Sequence, residues 1–110
     1  MILVEAKCEP CATGTQPMSA DEAARFARDV PGWTLRADRI ERQFEFHDFR
    51  EAMAFVEQVA GLAEEEGHHP DFFISYRKVV LTLSTHKIGG LSRNDFIMAA
   101  KIDDLRAEQH

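Results

Sequence analysis

The stretch that decides the fold covers residues 48–86 and reads DFREAMAFVEQVAGLAEEEGHHPDFFISYRKVVLTLSTH. Its first half carries apolar residues at helical spacing, namely Phe49, Ala52, Met53, Val56, Val59, Ala60 and Ala63. A stripe at i, i+3, i+4 and i+7 is typical of an amphipathic helix that buries one face. Asp48 and Glu51 predict the helix start as a capping pair. Gly67 predicts the end, because glycine suits the left-handed residue that commonly follows a last turn.

Two strands are predicted after this helix, over residues 72–76 and 79–85. In the second strand, Val79, Leu81 and Leu83 point to one face and alternate with residues that point to the other. This alternation is typical of a strand with one buried face. We therefore expect a β-hairpin whose turn follows residue 76.

The rest of the chain adds a helix, a second hairpin and a last helix. Ser19 begins a capped helix that Pro31 ends. Residues 33–46 alternate apolar with polar side chains, which predicts a hairpin with one wet face. Ser92, with Asp95 three residues later, predicts the start of the last helix.

The resulting order is α-β-β-α-β-β-α, which predicts an α+β fold. Two hairpins form an antiparallel sheet, and three amphipathic helices cover one of its faces. We predict an irregular N-terminal arm over residues 1–17, because proline and glycine interrupt it. Residues 18–110 are predicted to form a single domain, since the chain is near the usual domain size of about 100–150 residues.

The charge balance excludes some classes of partner. Thirteen Lys and Arg against nineteen Asp and Glu give a net charge of −6, with no long block of either sign. A nucleic-acid partner is disfavoured, because phosphate binding needs concentrated basic side chains. No stretch approaches the roughly 20 apolar residues that span a bilayer, so we expect no membrane partner and a cytoplasmic location.

The arm contains the only two cysteines, Cys8 and Cys11, in a C-x-x-C motif. Such a pair is found in redox sites and in half of a zinc site. No second pair follows, and the neighbouring residues are typical of a loop. We therefore favour two ordinary reduced thiols in a mobile leader.

Three of the five histidines converge in this topology. His68 and His69 follow the helix end, and Pro70 disfavours helical geometry for His69. His86 ends the last strand, and the end of one antiparallel strand lies beside the start of its partner. We therefore expect His86 near His68 and His69. Since the unperturbed pKa of histidine is about 6.5, the cluster indicates proton transfer near neutrality.

The residues alone leave other interpretations of this cluster open. His68 could cap the helix, His69 could bond a backbone carbonyl, and His86 could be solvated at a strand end. A three-histidine zinc site is a second alternative. It is disfavoured because adjacent histidines rarely aim both rings at one ion, and no histidine pair has the i, i+4 spacing.

The pattern around these histidines resembles the signature of the pterin-4a-carbinolamine dehydratases. The resemblance runs from about residue 18 to 106 and leaves out the cysteine-containing arm. The matching positions are Gly32-Trp33, Phe44-x-Phe46, Asp48-Phe49, Glu64-x-x-x-His68-His69-Pro70, Tyr76, Leu83-Ser84-Thr85-His86, Gly90-Leu91-Ser92 and Asp95. Matches at this many spaced positions are highly specific. Gly67 departs from those members that carry an acidic residue immediately before the two histidines.

The resemblance implies a four-stranded antiparallel sheet with three helices, and a reaction. That reaction is the loss of water from 4a-hydroxytetrahydropterin to give quinonoid dihydropterin, and the family uses neither a metal nor a redox cofactor for it. A general acid would protonate the leaving hydroxyl while a base takes the proton from the adjacent ring nitrogen. The implied physiological role is the recycling of a tetrahydrobiopterin-type cofactor, beside an aromatic amino acid hydroxylase.

The resemblance also implies which residues act. The catalytic positions are His68, His69 and His86, with His68 and His86 as the acid/base pair and His69 orienting the ring. The substrate-binding positions are Gly67, His68, His69, Ser84, Thr85 and His86. Supporting roles fall to Glu64, Pro70, Asp95 and Trp33. Among these, Glu64 would fix a tautomer, Asp95 would also suit a helix cap, and Trp33 would belong to the core or the pocket wall.

The resemblance implies partners as well. It predicts a homodimer or homotetramer, which would cover the open edges of a small sheet. A different class of function is a protein-binding module that stabilises a transcription-factor dimer. A third is the handling of a related pterin in molybdenum-cofactor metabolism, with the same pocket and another ligand.

Overall fold

The computed structural model describes residues 2–12 and 14–108, the side chain of residue 108 excepted. The helices are α1 (Ala20–Ala27), α2 (Phe49–Glu66) and α3 (Arg93–Glu108), and the strands are β1 (Thr34–Leu35), β2 (Ile40–Glu45), β3 (Asp71–Ser75) and β4 (Lys78–Leu83). Short 3₁₀ turns cover Leu3–Glu5 and His86–Ile88. This order confirms the predicted α+β fold with three helices and a four-stranded sheet.

The four strands form one antiparallel sheet in the order β1-β2-β4-β3. β4 is therefore central, and β3 is an edge strand. Asp71 near the start of β3 pairs with Thr82 near the end of β4. The residues that precede β3 and those that follow β4 consequently meet at one end of the sheet.

The core lies between one face of the sheet and the helices. From β4 it takes Val79, Leu81 and Leu83, which are fully buried. From the helices it takes side chains such as Phe55 and Phe96, also fully buried. Burying apolar surface on this scale is the main driving force for the fold. The opposite face of the sheet carries no helix among the described residues.

The ends of α2 follow the predicted chemistry. The Asp48 carboxylate accepts a hydrogen bond from the backbone N–H of Glu51, at 2.8 Å. Gly67 closes the helix with φ +68°, and its N–H donates to the carbonyl of Ala63. The buried stripe is rotated from the predicted one, because Phe55 belongs to it and Phe49 is half exposed.

Some local predictions are wrong. β4 ends at Leu83 rather than at residue 85, because Thr85 leaves the ladder and forms a separate bridge with Gly90. His86 accordingly begins a 3₁₀ turn instead of ending the strand. Tyr76, predicted inside a strand, is a turn residue with φ +55° and 68% exposure.

The N-terminal arm lies against α3. Leu3 is buried in the core, and Nζ of Lys101 donates to the carbonyl of Val4 at 3.0 Å. Cys8 and Cys11 are free thiols. The domain boundary at residue 18 stays a prediction.

Within residues 2–12 and 14–108, no helix is both long and apolar enough to cross a membrane. The cytoplasmic location stays a prediction.

Candidate active site

The three histidines line one cavity at the end of the sheet where β3 starts and β4 ends. His68 and His69 follow Gly67 directly, and His86 begins the turn after β4. The cavity has a volume of about 420 Å³, and Gly67, Ser84 and Thr85 also line it. The predicted convergence of His86 with His68 and His69 is therefore present in the fold.

The helix end sets the direction of the first histidine. The N–H groups of Gly67 and His68 both donate to the carbonyl of Ala63, at 2.8 and 3.2 Å. These two hydrogen bonds to one carbonyl oxygen, together with the left-handed conformation of Gly67, turn the chain away from the axis of α2. His68 thus points towards the start of α3 rather than capping its own helix.

His68 is joined to a buried carboxylate. Its Nε2 lies 2.6 Å from Oδ1 of Asp95, whose side chain is 0% exposed, while that of His68 is 12% exposed. An ionised carboxylate only accepts hydrogen bonds, so the proton sits on Nε2 of His68. In the neutral ring this leaves the Nδ1 lone pair free, and that nitrogen is able to act as a base.

The second oxygen of Asp95 is equally well held. Oδ2 accepts from the Thr85 hydroxyl at 2.8 Å and from the Ser92 N–H at 2.9 Å. The Ser92 hydroxyl lies 2.7 Å from Oγ1 of Thr85 and completes the chain of bonds. A buried charge needs such compensation. Asp95 therefore caps α3 and orients His68 at the same time.

His69 is paired in a different setting. Its Nε2 lies 2.5 Å from Oε2 of Glu64, and both side chains are largely exposed, at 58% and 79%. The partner is a carboxylate rather than the backbone carbonyl considered from the sequence. An exposed pair of this kind contributes little to stability. It does orient the imidazole at the mouth of the cavity.

His86 is exposed, and the described part of the chain offers its ring no hydrogen-bond partner. Its imidazole is therefore available to a ligand in the cavity. The two residues before it are already engaged, since the Ser84 hydroxyl donates to the carbonyl of Asp38 at 2.7 Å and Thr85 holds Asp95.

None of the four supporting residues lines the cavity. Asp95 and Glu64 act on it through their contacts with His68 and His69, whereas Trp33 and Pro70 do not. Trp33 is a core residue whose Nε1 donates to Oδ1 of Asp103 at 2.9 Å, and its ring packs edge-on against Phe44. Pro70 is buried where the chain enters β3. Both act on the site only through the fold.

Sequence reasoning missed one side of the cavity. Four residues of the arm line it, namely Cys8, Glu9, Pro10 and Cys11. Glu66 and Asn94 lie on the same side. The arm has no periodic pattern from which its place beside the cavity could be predicted. Its C-x-x-C spacing indicated a redox site or half of a zinc site instead.

Residues 16–105 match the model of the family described as Pterin 4 alpha carbinolamine dehydratase. The matched range contains all three histidines and Asp95. The chain belongs to this family. The arm up to residue 12 lies before the matched range.

Relatives of this dehydratase family cover almost the whole chain. A relative from Alkaliphilus metalliredigens, named for the same dehydratase, is 46% identical over 96% of this chain and 97% of its own. A second, from Rubrobacter xylanophilus, is 44% identical over 94% of this chain and 97% of its own.

Two solved structures share the fold. A crystal structure of a transcriptional coactivator/pterin dehydratase from Brucella melitensis is 34% identical, with a TM-score of 0.77 over 82% of this chain and 98% of that one. A pterin dehydratase-like protein identified as a RuBisCO assembly factor in the alpha-carboxysome is 24% identical, with a TM-score of 0.56 over 66% and 84%. At that identity the second likeness shows the fold alone.

In the described ranges, no group of three or more His, Cys, Asp or Glu side chains is arranged to hold a metal ion. The imidazole–carboxylate pairs, His68 with Asp95 and His69 with Glu64, are able to carry protons.

Proposed function

We propose that this protein catalyses the dehydration of 4a-hydroxytetrahydropterin to quinonoid dihydropterin. The observation that carries the proposal is the cavity in which three imidazoles converge while a buried carboxylate orients one of them. Membership in the dehydratase family supports the same substrate class.

The proposed reaction breaks the C4a–O bond and forms a double bond between C4a and the adjacent ring nitrogen. The hydroxyl leaves as water after accepting one proton, and the ring nitrogen loses one. Protons and electrons therefore balance within the substrate, and the reaction is redox-neutral. Two correctly placed proton-transfer groups are what it needs.

The environment of His68 suits the base. Its Nε2–H donates to Asp95, so the Nδ1 lone pair takes the proton from the ring nitrogen. The imidazolium that forms is stabilised by the adjacent carboxylate, as a charge-assisted hydrogen bond. His86, exposed in the cavity, is assigned as the acid that protonates the leaving hydroxyl. His69, held by Glu64, orients the pterin ring.

Stopped-flow dehydration of 4a-hydroxytetrahydropterin tests the proposal. We expect His68→Ala and His86→Ala each to lose about 10²–10⁴-fold in kcat, the typical contribution of one acid–base group. His47→Ala is the matched control, because His47 is exposed and does not line the cavity. If the unaltered protein does not accelerate the dehydration, the proposed enzymatic activity is rejected. Near-native turnover in both site variants would reject the assignment.

The physiological substrate forms the finer part of the proposal. We assign the product to the recycling of a tetrahydrobiopterin-type cofactor beside an aromatic amino acid hydroxylase, in the cytoplasm. The alternative is a related pterin of molybdenum-cofactor metabolism. Comparing kcat/KM for the two classes of pterin decides between them.

We further propose that β3 mediates a homodimer or homotetramer. It is an edge strand, and the exposed apolar side chains Phe72, Phe73, Ile74 and Tyr76 lie on it or in its turn. An open edge of this kind pairs readily with another strand. Sedimentation velocity measures the oligomeric state, and a monomer at micromolar concentration would reject this part.

A second candidate function is binding to another protein, such as a transcription factor that the module would stabilise as a dimer. The observation in its favour is the name of the Brucella structure, which combines a coactivator with a pterin dehydratase. The His68→Ala variant separates the two functions. A binding module keeps its partner in a pull-down with that variant, whereas an enzyme loses turnover.

A further inference from the structure

We propose that residues 8–11 of the N-terminal arm form a substrate-contacting wall of the histidine cavity, and that Cys11 limits the size of the ligand. This inference rests on the proposed function for the class of ligand, a pterin. It concerns the segment that precedes the family match and that carries the C-x-x-C motif.

The first support is the way in which Asn94 holds the arm. Its Oδ1 accepts from the N–H of Glu9 at 3.0 Å, and its Nδ2 donates to the carbonyl of Glu9 at 2.6 Å. One side-chain amide thus satisfies both backbone groups of Glu9, as a paired strand would. Asn94 is the neighbour of Asp95, so one turn of α3 holds both the arm and His68.

The second support is the contact between Cys8 and the end of α2. The Cys8 N–H donates to Oε1 of Glu66 at 2.9 Å, and the Glu66 side chain is only 6% exposed. Lys101 approaches Oε2 of Glu66 at 3.7 Å. Glu66 directly precedes Gly67 and the two histidines. The arm is therefore fixed on both sides of the cavity, from α2 and from α3.

The third support is the chemistry of this wall. Cys8 points its thiol at the carbonyl of Asn94, with Sγ 3.7 Å from the oxygen. Burial, and then Glu66, raise the pKa of the Cys8 thiol to about 12, so it stays uncharged. Cys11 is half-buried, and Nδ2 of Asn94 lies 3.9 Å from its sulfur. Thiols and Pro10 present a weakly polar surface to the imidazoles across the cavity.

Such a surface complements a flat heteroaromatic ligand. The imidazoles hydrogen-bond to its edge, and the thiols and Pro10 of the arm contact its apolar surface, whereas the exposed Glu9 adds a charged side chain to the same wall. Cys11 also borders a neighbouring groove lined by Thr15, so the arm separates two spaces. Because Cys11 lines both spaces and Thr15 only the groove, a larger side chain at Cys11 should narrow the histidine cavity, whereas a larger one at Thr15 should not.

The experiment compares Cys11→Trp with the matched control Thr15→Trp. The binding probe is 7,8-dihydrobiopterin, and its Kd is measured by fluorescence. The kinetic constants kcat and KM are measured by stopped-flow dehydration of 4a-hydroxytetrahydropterin. We expect Cys11→Trp to raise Kd and KM by roughly tenfold or more, because overpacking a fitted site costs affinity. We expect kcat to stay within a factor of about two, since the histidines are untouched. Thr15→Trp should keep the native Kd, because Thr15 lines the groove and not the histidine cavity.

A second measurement on the unaltered protein guards against a misfolded variant. In ¹⁵N–¹H spectra, 7,8-dihydrobiopterin should shift the amides of Cys8 and Cys11 but not that of Thr15. If Cys11→Trp keeps the native Kd, or if the arm amides do not shift in a saturated complex, the proposal that residues 8–11 contact the ligand is wrong. Binding without dehydration by the unaltered protein would reject the proposed catalysis and leave the wall standing. No binding of the probe at all would reject both.

Discussion

Nε2 of His68 lies 2.6 Å from Oδ1 of Asp95, although the two residues are 27 positions apart. The contact joins the turn after α2 to the first turn of α3. Because Asp95 is fully buried and also accepts from Thr85 and Ser92, its orientation is fixed by three donors. In the neutral imidazole, the fold therefore places the proton of His68 on Nε2 before any ligand arrives.

Replacing this carboxylate by an amide should reverse the His68 tautomer. In Asp95→Asn, the amide oxygen still serves Thr85 and Ser92, and the NH₂ group then faces Nε2 of His68. Because Nε2 must then accept a hydrogen bond, the ring proton moves to Nδ1, which loses its free lone pair and cannot act as the base. We therefore expect kcat to fall by about 10²-fold or more. Stopped-flow dehydration checks this, with ¹⁵N chemical shifts of the ring reporting the tautomer. The exposed Asp104→Asn is the control, and an unchanged kcat in Asp95→Asn would contradict the prediction.

The fold and the convergence of the histidines could be predicted because they depend on local patterns. Apolar spacing gave the helices, alternation gave the strands, and the antiparallel register brought His86 to the start of β3. Asp95 was ambiguous from sequence, since the same spacing serves a helix cap and a distant partner. The structure contains both contacts because the two oxygens of one carboxylate act separately.

The wall formed by the arm could not be predicted. The arm is held by long-range hydrogen bonds between backbone groups and the side chains of Asn94, Glu66 and Lys101. Every residue type has these backbone groups, so the sequence does not indicate which of them is bound. The exposed turn at Tyr76 was missed for a related reason. A tyrosine favours strands by propensity, and only the tight connection between β3 and β4 forces its positive φ.

Two glycines on or next to α2 should respond to alanine in opposite directions. Gly67 has φ +68°, where a side chain is strained, so Gly67→Ala should lower the free energy of unfolding by about 1 kcal/mol. Gly61 lies inside α2, with nothing within 4 Å of an added Cβ. Gly61→Ala should raise the free energy of unfolding by about 0.5–1 kcal/mol. Urea unfolding measures both, and equal effects would argue against the left-handed cap.

A charge on the edge strand should weaken self-association. Phe73 is 63% exposed on β3, so Phe73→Lys removes apolar surface and places like charges together wherever two such edges meet. We expect the dissociation constant of the oligomer to rise by tenfold or more, roughly 1.4 kcal/mol. Sedimentation velocity over a concentration series measures it, with Phe49→Lys on α2 as a control at a different exposed aromatic. If Phe49→Lys dissociates the protein and Phe73→Lys does not, the interface uses α2 instead.

The contact between the arm and α2 should make stability depend on pH. The Cys8 N–H, followed by Lys101 and Lys7, lowers the pKa of the Glu66 carboxyl below its ordinary value of 4.5. Since the pKa is lower in the folded chain, the ionised carboxylate stabilises the fold above the ordinary pKa. This contribution is lost as the pH falls through the lowered pKa.

Glu66→Gln keeps an oxygen for the Cys8 N–H but cannot titrate. We therefore expect the free energy of unfolding to fall less in this variant than in the unaltered protein when urea unfolding is moved from neutrality to about pH 3. Glu65→Gln, an exposed neighbour, should leave the pH dependence unchanged. Exchange of the Cys8 amide with deuterium should quicken at the acidic pH in the unaltered protein, because the loss is local to the arm. The same pH dependence in Glu66→Gln and the unaltered protein would show that this carboxylate does not fasten the arm.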